Sequence, residues 1–197
     1  MKNRNQERTA VRSCSVEKPM NHKKLAVLFP GNGYSTDRPL LYYAAKKYEA
    51  MGYEIVRISH TRHTPEDETL VALGETEAVL EFSRLGLDFS AYDDIVFIGK
   101  SLGTAVCGRI AERYGIPAGL VLLTPWDGTR PYLCAGKNVR LVVSGTADPY
   151  FDPEELAAIC RRENLPFLPV PDAGHDLEIR GDIPRTLAVL QTIIEKV

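Results

Sequence analysis

Cysteine is scarce in this 197-residue chain, and what there is lies scattered. Cys14, Cys107, Cys134 and Cys160 form no C-x-x-C pair. Neither a zinc site nor a disulfide framework follows from such spacing. Free buried thiols in a reducing cytoplasm are the expectation. Long apolar runs are missing as well; none approaches the roughly 20 residues that cross a bilayer. Charge of one sign is not in excess, with 24 Lys and Arg against 26 Asp and Glu and a formal net charge of -2. Nucleic acid is therefore not expected as a partner. Repeats and low-complexity segments are absent, and no second domain is expected, since the length suits one domain with a large core.

The start of the chain differs from the rest. Residues 1–23 are polar and rich in Lys and Arg, without the apolar stretch or cleavage site of a secretory signal. They are expected to form a loose tail ahead of a domain at 24–197, with Val11 to Val16 as a possible edge strand. His60-Thr61-Arg62-His63 holds a His-x-x-His pair with no further Cys or His nearby. A solvated loop is expected there, and no metal or cofactor.

Beyond residue 24, apolar runs alternate with amphipathic stretches. Strands are expected at 25–29, 53–59, 94–99, 119–125, 139–145 and 166–171. Helices are expected at 37–51, 65–85, 102–113, 152–164 and 182–195. Thr64-Pro65-Glu66-Asp67 looks like a capped helix start, and Gly74 is expected to break that helix in two. Strands this apolar are covered on both faces, and helical crossovers between them give a mainly parallel sheet. The fold class is α/β, a three-layer αβα sandwich. Functional loops then gather at the carboxyl ends of the strands.

"IGKSLG" at 98–103 invites two readings. Gly99-Lys100-Ser101 resembles the end of a phosphate-binding loop. That loop needs a glycine at 94 and an open loop between the glycines. Position 94 is Asp94, and 95–98 are the strand residues Ile-Val-Phe-Ile. The phosphate loop fails on mechanics. Gly99-Lys100-Ser101-Leu102-Gly103 is also Gly-x-Ser-x-Gly, the sharp strand-to-helix turn that lifts a serine above a sheet. Here a strand runs into Ser101 and a helix begins after it, as that reading requires.

A serine hydroxyl needs a base to take its proton, and the base needs a third group to hold it. "SGTADPYFD" puts Asp148 on the loop after the fifth strand. "PDAGHDLE" puts His175 on the loop after the sixth. With "GKSLG", "GTADP" and "AGH" in this order, each after its own strand, the sequence from about residue 24 onward resembles the α/β-hydrolase superfamily. The resemblance implies Ser101 as nucleophile, His175 as general base and acid, and Asp148 as the carboxylate that orients it. Asp127, after the fourth strand, is the rival acid; Asp152 and Asp172 are weaker, and Asp152 reads better as a helix cap. The resemblance also implies backbone N–H donors for an oxyanion: Leu102, and Asn32 or Gly33 in "PGNGY", where Pro30 replaces the histidine of many relatives. Gly31-x-Gly33 is also two-thirds of a dinucleotide fingerprint, but Thr36 stands where its third glycine belongs and the acid after the next strand is missing.

About fourteen residues separate the fourth and fifth strands, too few for the lid domain that relatives insert there. A minimal, uncapped serine hydrolase of small-molecule or acyl-group esters or thioesters is the expectation. A peptidase or amidase with the same triad, or a non-catalytic binding module on the same fold, are the alternatives. Tyr34, Trp126, Tyr150 and Phe151 are the candidate substrate-binding residues. Lys100 is solvated or paired, with no catalytic role assigned. The oligomeric state is not readable from the sequence.

Overall fold

A computed structural model describes residues 22–59 and 67–197. The expected edge strand at 11–16, the His-x-x-His loop, Cys14 and the capped helix start at 64–66 lie outside the described residues. Six strands form one sheet: β1 (Lys24–Phe29), β2 (Glu54–Arg57), β3 (Asp94–Lys100), β4 (Gly119–Leu123), β5 (Val139–Gly145) and β6 (Phe167–Val170). Their order is β2-β1-β3-β4-β5-β6, with every pairing parallel. Parallel neighbours need crossovers, and helices supply four of the five: α1 (Pro39–Ala50), α2 (Asp67–Leu85), α3 (Leu102–Arg113) and α4 (Pro153–Arg162), while α5 (Ile183–Lys196) follows β6.

Two apolar layers follow from the strand period of two. Leu25, Val27 and Phe29 of β1 join residues of α2, α3 and α4, including Phe82, Ile110 and Leu156. Ala26 and Leu28, between them, join Leu41, Ala44 and Tyr48 of α1 and Ile193 of α5. The expected three-layer αβα sandwich is the architecture found. Among the described residues no helix is long and apolar enough to cross a membrane.

Helix α2 runs unbroken through Gly74, against the expectation of a break. One glycine in a helix interior costs only about 1 kcal/mol relative to alanine. Leu70, Ala78 and Phe82 pack on the core on either side of it, and the buried Glu75 ties the helix to Arg109 and Arg113 of α3.

The chain builds β2 on one side of β1 and then β3 on the other. Crevices of open parallel sheets form where the order reverses in this way. Here that point lies above the adjoining ends of β1 and β3, at Phe29 and Gly99. No lid covers it from the β4–β5 connection, which holds a single 3-10 turn at Asp127–Tyr132.

Candidate active site

Ser101 stands between the last residue of β3 and the first of α3. Its backbone has φ 53° and ψ -117°, a conformation that a non-glycine residue holds only under constraint. The constraint is visible. The Ser101 N–H donates to the Leu123 carbonyl (2.9 Å), and its carbonyl accepts from the Thr104 N–H (2.9 Å) and hydroxyl (2.6 Å). Both flanking glycines are required by contact. A Cβ on Gly99 would lie 2.3 Å from the Gly103 carbonyl oxygen, and one on Gly103 would lie 2.3 Å from that of Phe29.

Asp148 follows β5 and is 3% exposed. The β5 end and the histidine loop are bound together: Thr146 N–H donates to the Val170 carbonyl (2.9 Å) and Ala147 N–H to that of Ala173 (3.0 Å). A Cβ on Gly145 would meet the Ala173 carbonyl oxygen at 2.0 Å, so glycine lets the two loops close. The result is one continuous array. His175 Nδ1 lies 2.8 Å from Asp148 Oδ2 and 3.0 Å from Oδ1, and His175 Nε2 lies 2.8 Å from Ser101 Oγ. An ionised carboxylate can only accept, which assigns the ring proton to Nδ1 and leaves Nε2 to accept from the serine hydroxyl. Asp148 Oδ1 also accepts from the Tyr150 N–H (2.9 Å), which fixes the carboxylate plane.

The rival acids are occupied elsewhere. Asp127 is exposed and pairs with Arg130, Asp172 pairs with Arg185, and Asp152 caps α4 by accepting from Glu154 and Glu155 N–H groups. The carboxylate bonded to His175 is that of Asp148.

Beside the elbow, Gly31 and Tyr34 exchange two backbone hydrogen bonds, Gly31 N–H to Tyr34 O (2.9 Å) and Tyr34 N–H to Gly31 O (3.1 Å). Asn32 and Gly33 form the tip of this turn, and Gly33 has φ +83°, available to glycine without strain. A Cβ on Gly31 would lie 3.2 Å from both the Lys100 carbonyl oxygen and Ser101 Cβ, so the turn is set against the elbow. Leu102 opens α3, where the first N–H groups have no intrahelical partner and carry the positive end of the helix dipole.

The four aromatics separate. Tyr150 is 60% exposed, and its ring centroid lies 4.4 Å from that of His175. Trp126 packs partly buried against the core. Phe151 is 2% exposed beneath Arg130, whose guanidinium carbon lies 4.4 Å from the ring. It packs in the core. Tyr34 is buried too, with its hydroxyl accepting from the Leu40 N–H (3.3 Å); burial pushes its pKa up to about 12. Lys100, read from sequence as solvated or paired, is buried and paired with Asp176. Burial draws its ammonium below the usual 10.5, while Asp176 and Asp148 pull the other way. Its part in the site had no signal in the sequence, because it fills the variable position of the pentapeptide. Among the described residues no group of three or more His, Cys, Asp or Glu is placed to hold a metal ion.

No protein-family model matches the chain, and no curated protein matches it. Solved structures do. An α/β serine hydrolase homologue from Coxiella burnetii is 16% identical, with 89% of this chain and 85% of that one covered and a TM-score of 0.60. An α/β serine hydrolase without lid from Xanthomonas campestris is 20% identical, with 90% and 84% covered and a TM-score of 0.57. Est1E from Butyrivibrio proteoclasticus, solved with ferulic acid bound, is 14% identical, with 91% and 93% covered and a TM-score of 0.59. What these neighbours share with the chain is its backbone architecture.

Proposed function

We propose that this chain, whose fold is that of the α/β hydrolases, is a serine hydrolase that cleaves carboxylic esters or thioesters. One observation carries the reading: the unbroken hydrogen-bonded line from Asp148 through His175 to the strained Ser101, set above the carboxyl ends of the strands.

In the first step His175 Nε2 takes the hydroxyl proton as Ser101 Oγ bonds to the substrate carbonyl carbon. Charge moves to the carbonyl oxygen, and the N–H groups of Leu102 and of Asn32 or Gly33 are the proposed donors to it. The imidazolium, its charge offset by Asp148, returns the proton to the departing alcohol or thiol as the carbon–oxygen or carbon–sulfur bond breaks. Water then adds to the acyl-serine by the same route, and the acid leaves with Ser101 restored. Tyr150, exposed beside His175, offers a face to the leaving group. The open crevice suits small substrates or acyl groups presented by a larger molecule. A cytoplasmic setting suits the free Cys107, Cys134 and Cys160.

A fluorophosphonate probe, with the adduct located by mass spectrometry, tests this directly. The expected result is an adduct on Ser101 that is lost in Ser101→Ala and His175→Ala. Full esterase activity in a folded Ser101→Ala protein, or no adduct on the folded parent, would refute it.

A further inference from the structure

Lys100 precedes Ser101 and is 1% exposed. Lysine stems normally carry their ammonium out to water; this one ends inside. Its Nζ lies 4.9 Å from the centroid of the Tyr34 ring and 3.4 Å from Asp176 Oδ1. Each neighbour belongs to a different piece of the site. Tyr34 closes the turn that holds Asn32 and Gly33, and Asp176 follows His175 in the chain. The Arg38 guanidinium covers the Tyr34 ring at 5.3 Å from its centroid.

Folding gives no reason for a charge here. Taking an ammonium out of water is unfavourable, and a methionine of similar length would fill the space without that cost. Because the folded chain holds the Lys100 proton less tightly than the unfolded chain, this lysine subtracts from stability at pH values below its folded pKa. The subtraction fades as the pH rises towards 10.5. A residue that weakens the fold yet ties two loops to the end of β3 has a different use.

We propose that Lys100 is a positioning residue: its ammonium, held between the Tyr34 ring and the Asp176 carboxylate, locks the 31–34 turn and the histidine loop against Ser101. The inference rests on the serine-hydrolase reading above. The groups around Lys100 are Tyr34 and Arg38 from the β1–α1 loop, Asp148 from the β5–α4 loop, and Asp176 from the β6–α5 loop, with Glu178 close to Tyr34.

The experiment compares the parent, Lys100→Met and Asp176→Asn by three measurements: fluorophosphonate labelling rate, kcat and KM on a short-chain ester, and Tm. For Lys100→Met, labelling and kcat are expected to fall about tenfold or more, as for a displaced catalytic geometry. KM is expected to change little, and Tm not to fall. Asp176→Asn, at an exposed carboxylate, is expected to lose part of the rate with Tm unchanged. A labelled parent whose Lys100→Met variant keeps the parental rate overturns the role of Lys100 and leaves the hydrolase reading standing. A Lys100→Met variant that loses Tm and rate together, beside an Asp176→Asn variant at the parental rate, makes Lys100 a packing residue and overturns it too. An unlabelled parent overturns the hydrolase reading, and this inference with it.

Discussion

Replacing Asp148 by asparagine keeps the shape of the side chain and changes its hydrogen-bonding sense and its charge. The carboxylate has no exposed surface and accepts three contacts: His175 Nδ1 at 2.8 and 3.0 Å, and the Tyr150 N–H at 2.9 Å. An asparagine has one oxygen and one NH2 to offer. With its oxygen kept on Tyr150, the NH2 faces Nδ1, which must then accept. The ring proton moves to Nε2, and the serine loses its base. With the amide flipped, the NH2 faces the Tyr150 N–H, two donors in a buried place. That arrangement costs about 1–3 kcal/mol, or roughly 5- to 150-fold in population. The unproductive tautomer is therefore the favoured one. Loss of the negative charge that offsets the imidazolium adds to the penalty, and the same exchange in serine-protease triads lowers kcat by about 10⁴. Asp148→Asn is expected to lose about 10³ to 10⁴ in kcat/KM on a chromogenic short-chain ester, about 4–5.5 kcal/mol. Asp127→Asn, at the exposed partner of Arg130, serves as the control and is expected to stay near the parental rate. The reasoning is refuted if Asp148→Asn keeps more than a tenth of the activity, or if Asp127→Asn is the variant that abolishes it.

Gly103→Ala forces a Cβ to 2.3 Å from the Phe29 carbonyl oxygen and 2.7 Å from that of Pro30, both backbone atoms. It is expected to cost about 3 kcal/mol, read as a Tm lowered by roughly 6–12 °C, with Ser101 labelling reduced as well. Asp152→Ala removes two hydrogen bonds at the start of α4; about 1 kcal/mol of stability is expected to go, with activity kept within about twofold. Labelling that collapsed in Asp152→Ala would mean that this carboxylate serves the site and not merely the helix.

The layered architecture was legible because each strand is short, apolar and followed by turn residues. All six strands fall where the apolar runs lie. Ends were less legible: β2 was read as 53–59 and pairs over Glu54–Arg57, although Ile58 still donates to the Leu28 carbonyl. Whether hydrogen bonding continues past a strand's last paired residue depends on its neighbour, which a single segment does not encode. The three residues joined by hydrogen bonds at the candidate site were readable because each sits in a local motif at a strand end. Tyr150 and Phe151 show the limit. They are adjacent and chemically alike, yet one faces solvent and the other the core, a difference set by what α4 and Arg130 place above them. Lys100 shows it again. Its burial depends on Tyr34 and Asp176, 66 residues before it and 76 after it in the chain.

Strand β6 closes the sheet at one side, and its composition governs what can follow it. The carbonyls of Pro166 and Val170 accept from Val142 and Thr146, so the even-numbered residues turn inward to β5. Within β6 the outward row is then Phe167 and Pro169, and Pro171 follows in the turn. Two of these three have no N–H. A strand arriving from another chain would find one donor where it needs several, and could not extend the ladder. Along this border the sheet offers a strand from another copy little to pair with.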